Sequence, residues 1–125
     1  MHTEFGGEVQ LIIIYVIDAH PVGSVCPYTG EEWTTDASKD ATGNPIYQPA
    51  TYEERVNLAI QAAQELDISS VPVLVDGWDN AVWCTYGPAP NIAYLISTDG
   101  GVVEKQGWYD PNTMRKAIMN YVDGL

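Results

Sequence analysis

The run Val9-Gln10-Leu11-Ile12-Ile13-Ile14-Tyr15-Val16-Ile17 narrows the possible folds more than any other part of the chain. It is uncharged and rich in β-branched residues, as in a strand covered on both faces of a sheet, and it stops abruptly at Asp18-Ala19-His20-Pro21. Such a strand delivers a carboxylate and an imidazole to a sheet edge. Asp18 and His20 lie two residues apart, so a strand continuing through them would place both on one face.

A chain of 125 residues, 46% of them hydrophobic, carries enough apolar material for one core, and a single domain spanning 1–125 is expected. The formal net charge of -12 repels phosphate backbones and anionic membranes, which argues against nucleic-acid and membrane partners. No apolar stretch approaches the roughly 20 residues that cross a bilayer, and Met1-His2-Thr3-Glu4 lacks the basic start of a signal peptide. The expectation is a soluble, cytoplasmic protein. Cys26 and Cys84 are too few for a disulfide scaffold or a zinc cluster, and a reducing compartment disfavours their pairing.

After the opening strand, residues 18–50 are rich in Pro, Gly, Thr and Ser without apolar periodicity, a length that marks a functional loop. Thr51-Tyr52-Glu53-Glu54 then has the form of a capping box, followed by Val56, Ala59, Ile60, Ala63 and Leu66 at helical spacing. Val71–Val75 reads as a short buried strand, and Asp76 or Asp79 can cap a second helix ending near Tyr86. Ile92–Ser97 and Val102–Gln106 flank Asp99-Gly100 as a hairpin. Asp110-Pro111 opens a last helix with Met114, Ala117, Ile118, Tyr121 and Val122 on one face. This order predicts an α/β protein with a mixed sheet ending in a β-hairpin plus C-terminal helix.

Pro90 before a strand, with Val71–Asp76 upstream and Asp99-Gly100 downstream, resembles the latter part of a thioredoxin-like fold of the peroxiredoxin type. More narrowly, Tyr15-Val16-Ile17-Asp18-Ala19-His20-Pro21 is similar to the Tyr-Ile-x-Glu-Ala-His-Pro motif of iodothyronine deiodinases and their bacterial relatives. Tyr52–Val56, Val75–Asn80 and Tyr86-Gly87 fall in that family's order. The resemblance implies that His20 stands near a nucleophile, that Asp18 replaces a glutamate, and that Pro90 sits beside the site. A group titrating near neutral pH suits the proton transfer that reductive dehalogenation or thiol exchange requires.

The chain departs from that family at the nucleophile. The strand, turn and helix that carry selenocysteine or cysteine have no counterpart ahead of Val9, so the resemblance describes an incomplete thioredoxin-like sandwich. The second histidine before the middle helix is replaced by Pro49-Ala50, and an arginine near Ile92 is missing, so thyroid hormone is not the expected substrate. Losing a central strand would leave unpaired backbone edges, which predicts either direct closure or a homodimer through Val9–Ile17 or an adjacent edge.

Two functional expectations follow. One is a thiol or selenol oxidoreductase for dehalogenation or for peroxide or disulfide reduction, in which His20 and Asp18 assist and Cys26, in an accessible loop, stands in as nucleophile for a redox partner. The other is a non-catalytic module that binds a small molecule or a protein through a pocket of Tyr15, Trp33, Trp78 and Pro90. Neither requires a cofactor. Asp18, His20 and Cys26 lack a recognised ligand spacing, and no metal is expected.

Overall fold

The computed structural model describes residues 2–18, 25–31, 39–68, 70–87 and 91–124. His20, Trp33 and Pro90 lie outside the described residues. The elements are α1 (His2–Phe5), β1 (Ile13–Tyr15), α2 (Tyr52–Glu65), β2 (Val73–Val75), α3 (Ala81–Tyr86), β3 (Ala93–Ile96), β4 (Val102–Gln106) and α4 (Pro111–Asp123), an α/β chain. It divides into two compact units, one of Met1–Gln10 with Asn91–Leu125, the other of Leu11–Pro90.

In the first unit β3 and β4 form an antiparallel hairpin, with Ala93 opposite Gln106 and an irregularity between Leu95 and Ile96. Gly100 takes the left-handed conformation (φ 90°) that the tight turn demands. The Ser97 amide donates to the Gly101 carbonyl at 2.8 Å and closes the loop. Helix α4 starts where expected: the Asp110 carboxylate accepts the Thr113 N–H at 2.9 Å, and Pro111 occupies a first-turn position without losing a helical hydrogen bond. Its apolar stripe packs Met114 and Ile118 on Leu95 and Phe5, with Ala117, Tyr121 and Val122 alongside. An exposed Glu4–Arg115 ion pair of 3.2 Å adds little to this core.

In the second unit β1 and β2 pair in parallel, Ile13 with Val73, Ile14 with Leu74 and Tyr15 with Val75. The predicted strand of nine residues contracts to Ile13–Tyr15. The single mixed sheet takes the form of two separate two-stranded ladders, β1-β2 and β3-β4, among the described residues. Ile12, Ile13, Ile14 and Leu74 consequently keep much of their surface in water.

Helix α2 carries a correction in its facing. Thr51 Oγ1 accepts the Glu54 N–H at 3.2 Å, while the Glu54 carboxylate reaches back to the Ala50 N–H at 2.7 Å, so the reciprocal cap forms one residue early. The buried residues are Arg55 and Ala59, and Ile60 and Leu66, expected inside, are exposed. The helix is turned so that a guanidinium takes the place of an isoleucine. Ala59, Ala62 and Ala63 on that side are small enough for the helix to approach β2 closely.

Candidate functional site

Among the described residues of the second unit, Cys26, Arg55, Ala59, Asp76 and Trp83 are buried. This is a polar interior rather than an aliphatic one, and hydrogen bonds join its members in sequence. The C-terminal ends of the parallel pair β1-β2 bring these groups together, the place where parallel strands present binding and catalytic groups.

At the end of β2, the Asp76 amide donates to the Tyr15 carbonyl at 2.8 Å, extending the pairing with β1. Its side chain is 1% exposed, and its carboxylate oxygens accept the N–H groups of Val82 and Trp83, each at 3.0 Å. These are free amides of the first turn of α3. The residue preceding that helix, Asn80, is left-handed (φ 56°) and makes no side-chain cap. Asp76 therefore caps α3 from a distance in sequence, and Asp79 Oδ1 accepts the Ala81 N–H at 3.3 Å, so both alternatives that the spacing offered take part.

Arg55, 4% exposed, holds the other side of the same turn. Its Nη1 donates to the carbonyls of Gly77 at 2.8 Å and Asp76 at 3.3 Å. Its guanidinium lies 4.8 Å from the centroid of the Trp78 ring, a cation–π arrangement. A buried guanidinium needs these partners, because an uncompensated charge costs several kcal/mol. Trp78 itself remains substantially exposed and forms the outer cover of Arg55.

Trp83 is 2% exposed, and its indole Nε1 donates to Cys26 Sγ at 3.4 Å. The segment around Cys26 is a closed turn: the Gly30 amide donates to the Cys26 carbonyl at 2.7 Å and the Cys26 amide to the Glu31 carbonyl at 2.9 Å. Gly30 (φ 74°) supplies the left-handed residue that this turn needs. Burial pushes the Cys26 thiol up, but the Thr29 amide and hydroxyl, the Trp83 indole and the Tyr28 amide favour the thiolate and outweigh it, leaving the thiol more acidic than usual. The expectation of an accessible Cys26 is corrected, since the residue is 0% exposed. Its acidity needs no basic neighbour, because amides turned inward do what a cation would do.

Tyr15 ends β1 with its hydroxyl 2.9 Å from both Asp18 carboxylate oxygens, donating its one proton to that pair. Burial first, then the charge of Asp18 and this hydrogen bond, raise the phenol above its ordinary pKa, while Arg55 pulls weakly the other way. Gln48 donates to the Asp18 carbonyl and ties the long loop back to the strand end. Asp18 and Tyr15 are thus brought together, Trp78 lies on Arg55, and Cys26 lies under Trp83.

A shallow groove of about 420 Å³ runs between Tyr47–Pro49 and the α2 residues Glu54, Asn57, Leu58 and Gln61, and neither Tyr15 nor Trp78, the described members of the expected pocket, lines it. Cys84 is a free thiol, half-buried rather than fully packed. Among the described residues no cluster of His, Cys, Asp or Glu could hold a metal ion, and no helix is long and apolar enough to cross a membrane. Arg55, Asp76 and Thr29 belong to this candidate site and were not singled out for function in the sequence reading. Two signals pointed to them: an arginine at a core-facing helical position, and Pro27 and Gly30 punctuating a turn around Cys26. Comparison with family models, curated proteins and solved structures finds no match to the chain.

Proposed function

We propose that the protein is a thiol-dependent oxidoreductase of deiodinase-like, thioredoxin-like construction in which Cys26 carries the reactive sulfur. The observation that carries this reading is the ring of donors on Cys26 Sγ, which favours the thiolate, the form that attacks. In disulfide reduction the Cys26 thiolate bonds to one sulfur of the acceptor, the acceptor's S–S bond breaks, and the departing sulfur takes a proton. An external dithiol, the electron donor, then bonds to the acceptor sulfur of the mixed disulfide and releases Cys26 as thiolate, and its second thiol displaces that sulfur as a free thiol and closes the donor's own disulfide. The family resemblance assigns the proton delivery to His20, with Asp18 beside it. Because Sγ is buried, the turn from Cys26 to Glu31 must lift from Trp83 before an acceptor reaches it. A reducing, cytoplasmic setting would keep both cysteines free.

The burial of Cys26 favours a second reading, a binding module whose thiol only organises the turn. Reduction of a small aromatic disulfide by dithiothreitol, followed with the wild type and Cys26→Ser, separates the two. The oxidoreductase reading expects turnover in the wild type and at least a hundredfold loss in the variant. Equal rates above the uncatalysed reaction would exclude Cys26 as the nucleophile, and wild-type rates no faster than dithiothreitol alone would leave binding.

A further inference from the structure

The buried groups of the second unit form a chain of contacts that ends on sulfur. Arg55 grips the carbonyls of Asp76 and Gly77, and Asp76 receives two amides of α3. One of those amides belongs to Trp83, whose indole donates to Cys26 Sγ. An aliphatic core of the same volume would hold two short strands and a helix without burying a guanidinium and a carboxylate, groups that are expensive to desolvate. The polar arrangement has a specific geometric result: it fixes one indole N–H on one sulfur.

We infer that Asp76 is a positioning residue for the Cys26 sulfur, acting through α3 to hold the Trp83 indole N–H on Sγ. The inference rests on the reading of Cys26 as the reactive sulfur. Helix α3 has only six residues, too few to hold its own first turn in water, and Asn80 supplies no side-chain cap. The Asp76 carboxylate fixes the backbone at Val82 and Trp83, and thereby the root of the indole. The titratable side chains of the surrounding elements are Tyr28 and Glu31 in the turn itself, Asp18 and Tyr15 at the end of β1, Arg55 on α2, Asp76 and Asp79 between β2 and α3, and Cys84 and Tyr86 on α3. None of them hydrogen-bonds Sγ, so the sulfur senses Asp76 through Trp83 rather than by direct contact.

The test is the pH dependence of alkylation by iodoacetamide in full-length protein carrying Cys84→Ser, so that Cys26 is the one thiol read. The midpoint of the rate profile reports thiol acidity, and its plateau reports access, so a merely loosened fold changes the plateau without moving the midpoint. Trp83→Phe is expected to raise the midpoint enough to lower the thiolate fraction at neutral pH about threefold to tenfold. Asp76→Ala is expected to move it in the same direction, and Asp76→Ala with Trp83→Phe no further than Trp83→Phe alone, because both act on one donor. Asp76→Asn, which keeps one acceptor oxygen for the α3 amides, should fall between the wild type and Trp83→Phe, and it replaces the alanine variant should that variant fail to fold. An unchanged midpoint in the folded Asp76 variants, or additive shifts in the double variant, would overturn the inference. The midpoint is read without turnover, so loss of the oxidoreductase reading, seen as equal reductase rates with Cys26→Ser, is a separate outcome.

Discussion

Tyr15 shows how one side chain records its surroundings. Burial and the Asp18 carboxylate raise its pKa, so the folded chain holds the phenolic proton more tightly than the unfolded chain does. Its contribution to stability is complete below the unfolded value of about 10 and is lost progressively as the pH rises from there towards the folded value. Tyr15→Phe removes the hydrogen bond to Asp18 and should lower stability by about 1 kcal/mol at pH 7, the figure being reduced for partial exposure. The same variant should show a flatter decline in alkali, so the gap to the wild type narrows when urea unfolding is repeated near pH 11. Cys26 illustrates the opposite balance, in which donors outweigh burial, and no charged residue beside it in sequence announced this. Turn chemistry was visible at Pro27 and Gly30, whereas the contribution of Trp83 depends on residues 57 positions apart.

Elements defined by local signals were legible to within a residue or two. Asp110-Pro111 and Thr51 to Glu54 each state a helix start in the residues that satisfy it, and the helices begin there. Thr51→Ala should cost about 1 kcal/mol in chemical denaturation, with the helix content of the folded state unchanged. Spacing alone read the facing of α2 in part: Ala59 is buried and Val56 and Ala63 are half-buried as their period requires, but Arg55 goes inside while Ile60 and Leu66 stay exposed. The choice depends on where carbonyls lie at the end of β2, which is tertiary information. Strand length was overstated for the same reason: nine uncharged residues can extend, but only Ile13–Tyr15 find a ladder in β2. At the strand end, the motif contains both Asp18 and the phenol of Tyr15 that donates to it. Asp76 was legible only as a cap.

For the molecule as a whole, the thin sheets matter most. A two-stranded parallel ladder that leaves Ile12, Ile13 and Ile14 exposed resembles an unfinished sheet, and a second copy of the chain across β1 is one of the two completions expected from the sequence. Each copy carries a formal charge of -12, so association should strengthen as salt screens the repulsion. Light scattering at micromolar protein is expected to give a dimer whose population rises between low and high sodium chloride, and Ile13→Lys should return it to a monomer. A wild type that remains monomeric at every salt concentration would exclude this partner.

The division of the chain into units has a consequence for its biosynthesis. The second unit is one uninterrupted stretch, Leu11–Pro90, whereas the first is assembled from both ends of the sequence. Every residue of the inner unit is synthesised before β3, β4 or α4. The outer unit must then close a gap of about 80 residues, at an entropic cost of about 4 kcal/mol if that stretch is unstructured and less once its ends are already drawn in. The unit completed first in synthesis is the one that holds Cys26 beneath Trp83.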